Sequence, residues 1–263
     1  MNYLEAIILG IIQGFTEFLP ISSSGHLEIV KTIFGNRANA QESLFLTLTL
    51  HVATALSTIV FFRKDILQLL QGVIKFNWNE STQFSFKIIL SMIPAVFVGL
   101  FLQDFIEVLF LQNMVLVGTM LCITAVILFW ADKAKKSTKD VSIKNAVILG
   151  LIQAIAILPG ISRSGSTIAA AVLLGIEREK AARFSFLMVL PLIFGSMAKT
   201  VIDSRQLNHD IDILPLIVGF IFAFITGLLA CKWMIILVKN SKLKYFSFYC
   251  IIVGGTALIY GLF

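Results

Sequence analysis

Residues 13–26 read Gln13-Gly14-Phe15-Thr16-Glu17-Phe18-Leu19-Pro20-Ile21-Ser22-Ser23-Ser24-Gly25-His26, and residues 159–167 read Pro159-Gly160-Ile161-Ser162-Arg163-Ser164-Gly165-Ser166-Thr167. Each interrupts an apolar stretch, 4–30 in the first case and 146–176 in the second. Proline and glycine break the helical hydrogen-bond ladder there, and open backbone at membrane depth is tolerated only where protein or a watery cavity surrounds it. The reading is a helix that dips in, breaks and returns to the same face.

The two stretches are copies. Setting residues 6–25 on 146–165 without gaps gives identities at Ala6, Ile8, Leu9, Gly10, Ile12, Gln13, Ile21, Ser22, Ser24 and Gly25. Shared leucines and isoleucines are ordinary in apolar helices, but Gln13/Gln153 and the repeated Ser-x-Ser-Gly are not. Around them lie six apolar runs, near 44–62, 86–103, 108–131, 184–203, 213–238 and 245–263, each long enough to cross a hydrocarbon core of about 30 Å. The expected fold is an all-α integral membrane protein with six transmembrane helices and two re-entrant helix-loop-helix hairpins. It forms one membrane domain over 1–263, with a first repeat over 1–131 and a second over 146–263. Three crossings per half is an odd number, so the second half enters upside down, an inverted-topology repeat whose broken helices meet near the midplane.

Composition agrees: 58% of the 263 residues are apolar and 14% charged, with a mean hydropathy of +0.93. A soluble domain carries about 25% charged residues. The net charge of +6 sits in no arginine-rich or aromatic-interleaved patch, which argues against nucleic acid. Arg63, Lys64, Lys75, the five lysines of 133–144, Arg178, Lys180, Arg183, Lys239, Lys242 and Lys244 fall on one side, against Lys31, Arg37 and Arg205 on the other. The positive-inside rule makes the richer side cytoplasmic, so both termini and the first hairpin's mouth face outward and the second hairpin enters from the cytoplasm. Residues 65–75 read as an amphipathic helix on the cytoplasmic surface. The N-terminus lacks the basic region of a cleaved signal peptide, and the chain is taken as mature. Cys122, Cys231 and Cys250 have neither disulfide nor zinc spacing.

Differences between the copies point to the chemistry. Glu17 faces Ile157, Ser23 faces Arg163 and His26 faces Ser166, so one copy supplies an acid and an imidazole and the other a guanidinium. Intramembrane ionisable residues are functional candidates. Gln13 and Glu17 project from one helix face and suit Mg²⁺ or Ca²⁺; the alternative is that Glu17 pairs structurally with Arg163 and Gln13 hydrogen-bonds within the bundle. His26 fits proton transfer, as a base for water or serine or an acid for the leaving group, and Ser23, activated by His26, is the candidate nucleophile if the mechanism is covalent, with water as the alternative. Serines also cap helices, and amides after Ser-Gly favour phosphate. Arg163 offers a bidentate fork for a phosphate oxyanion, with Ser22, Ser24, Gly25, Ser162, Ser164, Gly165 and Thr167 around it. His51 reads as a satisfied interior histidine, Asn208-His209-Asp210 as solvated loop, and Glu177-Arg178-Glu179-Lys180 as a solvated helix start.

Both motifs, and the chain in its length, hydrophobic segments and motif placement, resemble the bacterial undecaprenyl-pyrophosphate phosphatases known as bacitracin-resistance proteins. The resemblance implies a metal-assisted phosphatase of the bacterial cell membrane. It would convert undecaprenyl diphosphate to the monophosphate carrier used in peptidoglycan synthesis, hence a role in bacitracin resistance. It implies Glu17, Ser23, His26 and Arg163 as site residues, with Gln13 where either Glu or Gln occurs. The type 2 phosphatidic-acid phosphatases also use Ser-Arg, but expect a histidine where this chain has Ala169. A polyprenyl-phosphate transporter or flippase is the alternative from another class. The sequence is compatible with a monomer and with a homodimer.

Overall fold

The computed structural model describes residues 2–34, 40–74, 78–102, 105, 106, 108, 113–203, 212–240 and 242–262. Arg37, Lys75, Arg205 and the loop Asn208-His209-Asp210 lie outside the described residues, as do parts of the runs 86–103 and 108–131. The described residues are helical nearly throughout: α1 Tyr3–Phe18, α2 Ser23–Ile33, α3 Ala40–Phe61, α4 Arg63–Ile74, α5 Glu80–Phe101, α6 Met114–Asp132, α7 Ile143–Ile155, α8 Arg163–Leu173, α9 Arg178–Asp203, α10 Ile213–Lys239 and α11 Leu243–Leu262. Within these, α3, α5, α6, α9, α10 and α11 contain the stretches long and apolar enough to cross a membrane. They correspond in order to the six expected crossings. Helix α5 begins earlier than apolarity suggests because a polar cap extends it: Asn79 accepts from the Thr82 amide at 2.9 Å and starts α5 at Glu80.

The remaining helices are short. Asn2 and Glu5 form a capping box that starts α1. Pro20 ends it, because the residue before a proline is driven to extended backbone, and Leu19 sits at φ −70°, ψ 143°. Ser22 then caps α2, accepting from the Gly25 amide at 3.2 Å. The second pair repeats this: α7 stops at Ile155, and Ser162 caps α8 by accepting from the Gly165 amide at 3.0 Å. Gly160 turns the chain at φ +93°, a region open to glycine, and is pressed against the Val117 carbonyl of α6.

Close contacts fix helix directions. Ala6, Gly10 and Gly14 of α1 lie against Gly219, Ala223 and Gly227 of α10 in the same order, so the two run parallel, and Phe18 at the end of α1 reaches only Gly227, about halfway along α10. Likewise Gly150 of α7 lies on Ser91, the middle of α5. Each short pair thus packs on a long helix of the other half of the chain. Helices α6 and α11 run antiparallel through Gly118 and Gly254.

One end of the bundle gathers the basic loops. Lys180 pairs with Asp140 at 2.9 Å, Lys239 with Glu179 at 2.8 Å, and Arg183 with Asp65 at the start of α4. Arg178 corrects the expectation of a solvated helix start. It is buried, and its Nη2 donates to the carbonyls of Ala131, Asp132 and Ala134, at 3.3, 3.2 and 3.1 Å, that end α6. A cation at a helix C-terminus satisfies orphan carbonyls and the helix dipole together. Helix α4 carries Leu67, Leu70, Val73 and Ile74 exposed at this same end. On α10, Ile217, Ile221, Ile225, Leu229, Trp233 and Ile236 form an exposed apolar stripe at helical spacing. A continuous stripe of this kind is a surface for lipid, not water.

Candidate functional site

The two helix breaks touch. Gly25 lies on Gly160 and Gly165 on Pro20, so closely that a Cβ on either glycine would stand about 3 Å from its neighbour. Ser164 Oγ donates to the Leu19 carbonyl at 3.4 Å. Backbone groups freed by the breaks find partners on the long helices: Thr124 of α6 accepts from the Ser162 amide at 3.0 Å and donates to the Gly160 carbonyl at 3.3 Å. Each such group left bare would cost about 1–3 kcal/mol, so α6 is what permits an open turn this deep in the bundle.

Across this junction Arg163 Nη2 donates to Glu17 Oε1 in a direct ion pair. The other carboxylate oxygen, Oε2, accepts from Ser23 Oγ at 2.8 Å and from Gln13 Nε2 at 3.0 Å. Gln13 Nε2 also reaches Thr54 Oγ1 at 3.4 Å. Glu17, only 7% exposed, is therefore the hub of the site, holding one group from each break. Glu17, Ser23, Ser24, Ser162, Arg163 and Ser164 open onto one cavity of about 510 Å³. Its far walls come from the second halves of α5 and α9, beside the in-helix prolines Pro94 and Pro191, and are apolar apart from Ser196 and Lys199 of α9.

Several expected roles are rearranged. The expected pairing of Ser23 with His26 is not formed, because both imidazole nitrogens are engaged elsewhere. Nδ1 donates to the Ser22 carbonyl at 2.7 Å, so Nε2 accepts from the Tyr249 hydroxyl at 2.9 Å, with the two rings stacked at 5.5 Å. The partner of Ser23 is Glu17. Ser22, Gly25, Gly165 and Thr167 do not line the cavity. The Ser22 and Ser162 hydroxyls consume the Gly25 and Gly165 amides as caps, both glycines serve the close approach of the breaks, and Thr167 Oγ1 turns away to Ser185 at 2.5 Å.

His51, set aside as an interior histidine, lines the cavity instead. Its Nδ1 donates to the Thr47 carbonyl at 2.7 Å and its Nε2 stands 3.9 Å from Glu17 Oε2, too long for a hydrogen bond but close enough to feel the charge. An ionisable side chain in an apolar crossing was the available signal. Lys199 carried the same signal in the run 184–203 and Gln153 was marked by its match to Gln13, and both line the cavity; Tyr249 had no comparable signature.

Among the described residues no three His, Cys, Asp or Glu side chains converge as a metal cage. Gln13 Oε1, however, is buried with no hydrogen-bond partner there, one helical turn from the Glu17 carboxylate. With the amide nitrogen turned to Glu17 Oε2, the two oxygens do not converge; a flip of the Gln13 amide would bring Oε1 beside the carboxylate and give two hard donors fit for a divalent cation completed by water and phosphate oxygens.

Six helices long and apolar enough to cross a membrane, three of which (α3, α5 and α9) line a cavity holding a buried ion pair, define a multi-pass membrane protein. The chain belongs to the bacitracin resistance protein BacA family, whose model matches residues 6–256. It is 57% identical over 260 residues to an undecaprenyl-diphosphatase of Christiangramia forsetii, covering 99% of this chain and 98% of the relative. Identity is 48% over 263 residues to an undecaprenyl-diphosphatase of Bacteroides fragilis, covering 98% of each. A third undecaprenyl-diphosphatase, of Methanococcus vannielii, is 41% identical over 264 residues, covering 98% of this chain and all of the relative.

Proposed function

We propose that this protein hydrolyses undecaprenyl diphosphate to undecaprenyl phosphate and inorganic phosphate in the cell membrane, recycling the lipid carrier of peptidoglycan synthesis and thereby giving bacitracin resistance. The observation that carries this reading is the Ser23–Glu17–Arg163 chain, built from both breaks and open to a cavity with a polar end and mostly apolar walls. The polar end suits a diphosphate and the walls a prenyl tail.

The chemistry follows from the contacts. Arg163 exchanges Glu17 for phosphoryl oxygens, which its fork binds bidentately. Glu17, released from that pair, accepts the Ser23 proton through Oε2 as Ser23 Oγ attacks the terminal phosphorus. The bond to the bridging oxygen breaks and the prenyl monophosphate leaves, taking up the proton from Glu17. Water then hydrolyses the phosphoserine, with Glu17 taking its proton and returning it to Ser23 Oγ, which gives inorganic phosphate and restores the hydroxyl. His26, locked on Ser22 and Tyr249, holds the start of α2 and hence Ser23 in place. Mg²⁺ or Ca²⁺, held by Glu17 and Gln13 with substrate oxygens, would supply charge neutralisation of the diphosphate.

The two short helix pairs read as re-entrant hairpins of an inverted repeat. Support comes from α1 ending halfway along α10, α7 meeting the middle of α5, and each packing on the other half. The basic end is cytoplasmic by the positive-inside rule. Because α5 and α9 both start at that end and the cavity lies along their second halves, it opens to the external face, and both termini lie outside. Labelled prenyl diphosphate enclosed only within sealed right-side-out vesicles is expected to survive; its rapid loss would contradict this orientation.

Purified protein in detergent, where no leaflets exist, is expected to release phosphate from a long-chain prenyl diphosphate. A chelator should suppress turnover, with recovery on adding Mg²⁺ or Ca²⁺. No phosphate release under any of these conditions would leave a carrier function instead, and chelator-insensitive release would remove the cation from the account.

A further inference from the structure

Gln153 occupies in α7 the place of Gln13 in α1, and the repeat makes their surroundings comparable. Gln13 gives its amide nitrogen to Glu17 and Thr54. In the second copy the position of Glu17 is Ile157, and nothing replaces the lost carboxylate. Neither Nε2 nor Oε1 of Gln153 has a hydrogen-bond partner among the described residues, although the residue is only 1% exposed. Gln153 is a lining residue of the cavity shared by Arg163, Ser162 and Ser23, and its amide atoms lie closed off just behind that wall, so a ligand meets them when the side chain turns inward. A buried primary amide without partners costs about 1–3 kcal/mol, and such groups are normally met by a ligand or an ordered water.

We infer that Gln153 is a substrate-contacting residue, whose amide N–H donates to a phosphoryl oxygen of a polyprenyl diphosphate held in this cavity. The hydrocarbon tail offers no acceptor, whereas a diphosphate presents several. A neutral donor adds a directed hydrogen bond beside Arg163 without adding charge to a low-dielectric site. The duplication thus gave the two glutamines different tasks: Gln13 serves the enzyme's own carboxylate, and Gln153 serves the substrate's anion.

This inference rests on the phosphatase reading, and its test includes a measurement that needs no turnover. The probes are a non-hydrolysable prenyl methylenediphosphonate, inorganic pyrophosphate and the corresponding prenyl alcohol, with Gln153→Met and Gln153→Leu as near-isosteric apolar variants and Gln153→Glu as a charged one. A hydrogen bond to a charged group predicts a roughly tenfold to hundredfold rise in Kd for the diphosphonate and in KM for the substrate in the Met and Leu variants. Their thermal midpoints should be unchanged or higher, since an unpartnered polar group has been removed. Gln153→Glu should bind the diphosphonate more weakly still, while prenyl alcohol binding stays as in wild type. Wild-type Kd and KM in the apolar variants would mean that the amide meets only water or packing, and would overturn the inference. Failure of the wild-type protein to hydrolyse the substrate would instead count against the phosphatase reading, with the diphosphonate Kd still deciding the role of Gln153.

Discussion

Arg163→Ala is expected to lower kcat/KM for a long-chain prenyl diphosphate by about 10³-fold or more, the scale on which a transition-state arginine acts in phosphoryl transfer. Arg163 is the cation that faces Glu17 across the junction, and it lines the cavity. Its removal takes away the donors that would hold the transferring phosphoryl and also leaves the buried Glu17 carboxylate unpaired. The second effect bears on stability, because breaking a buried pair by deleting one partner costs about 3–5 kcal/mol. The two effects separate in a second variant: adding Glu17→Gln to Arg163→Ala should restore much of the lost thermal stability in detergent and none of the activity. Arg163→Lys keeps the charge but loses the planar fork, so it should remain well below wild type. Near-wild-type turnover by Arg163→Ala would remove the guanidinium from the site.

The second large effect falls on Glu17. Its Oε2 is the acceptor for the Ser23 hydroxyl, at 2.8 Å, and Glu17→Gln replaces that acceptor with an amide of the same shape. A loss of about 10²–10⁴-fold in kcat is expected, the range for removing a general base, with KM changing far less because Arg163 is freed for substrate. Steady-state kinetics on the purified variant checks this split. A rise in KM with kcat intact would instead make Glu17 a binding group only.

Much of this was legible in the chain because it depended on breaks and repeats. Proline and glycine in an apolar stretch announce an interrupted helix, and a 140-residue offset that aligns Ser-x-Ser-Gly with itself announces a pair of them. The contrast of Glu17 with Ile157 and of Ser23 with Arg163 then singled out the residues that meet at the junction. What stayed hidden depended on direction within three dimensions. Motif spacing places His26 three residues after Ser23, but the imidazole turns to Tyr249, which is 223 residues away in sequence. The serine and glycine amides looked free for phosphate, yet the caps that start α2 and α8 use them. His51 looked isolated because its neighbour Glu17 comes from another helix, and the orphaned amide of Gln153 is visible only once its surroundings are known.

The central claim is that Glu17 from one break and Arg163 from the other act on a single phosphoryl group as a unit. A double-mutant cycle on kcat/KM with Glu17→Gln, Arg163→Ala and both together tests it most directly. Groups that act jointly are strongly non-additive, so the double variant should be scarcely worse than the poorer single variant. Losses that multiply, with the double variant falling by the product of the two single effects, would mean that the two residues work independently and would contradict the account.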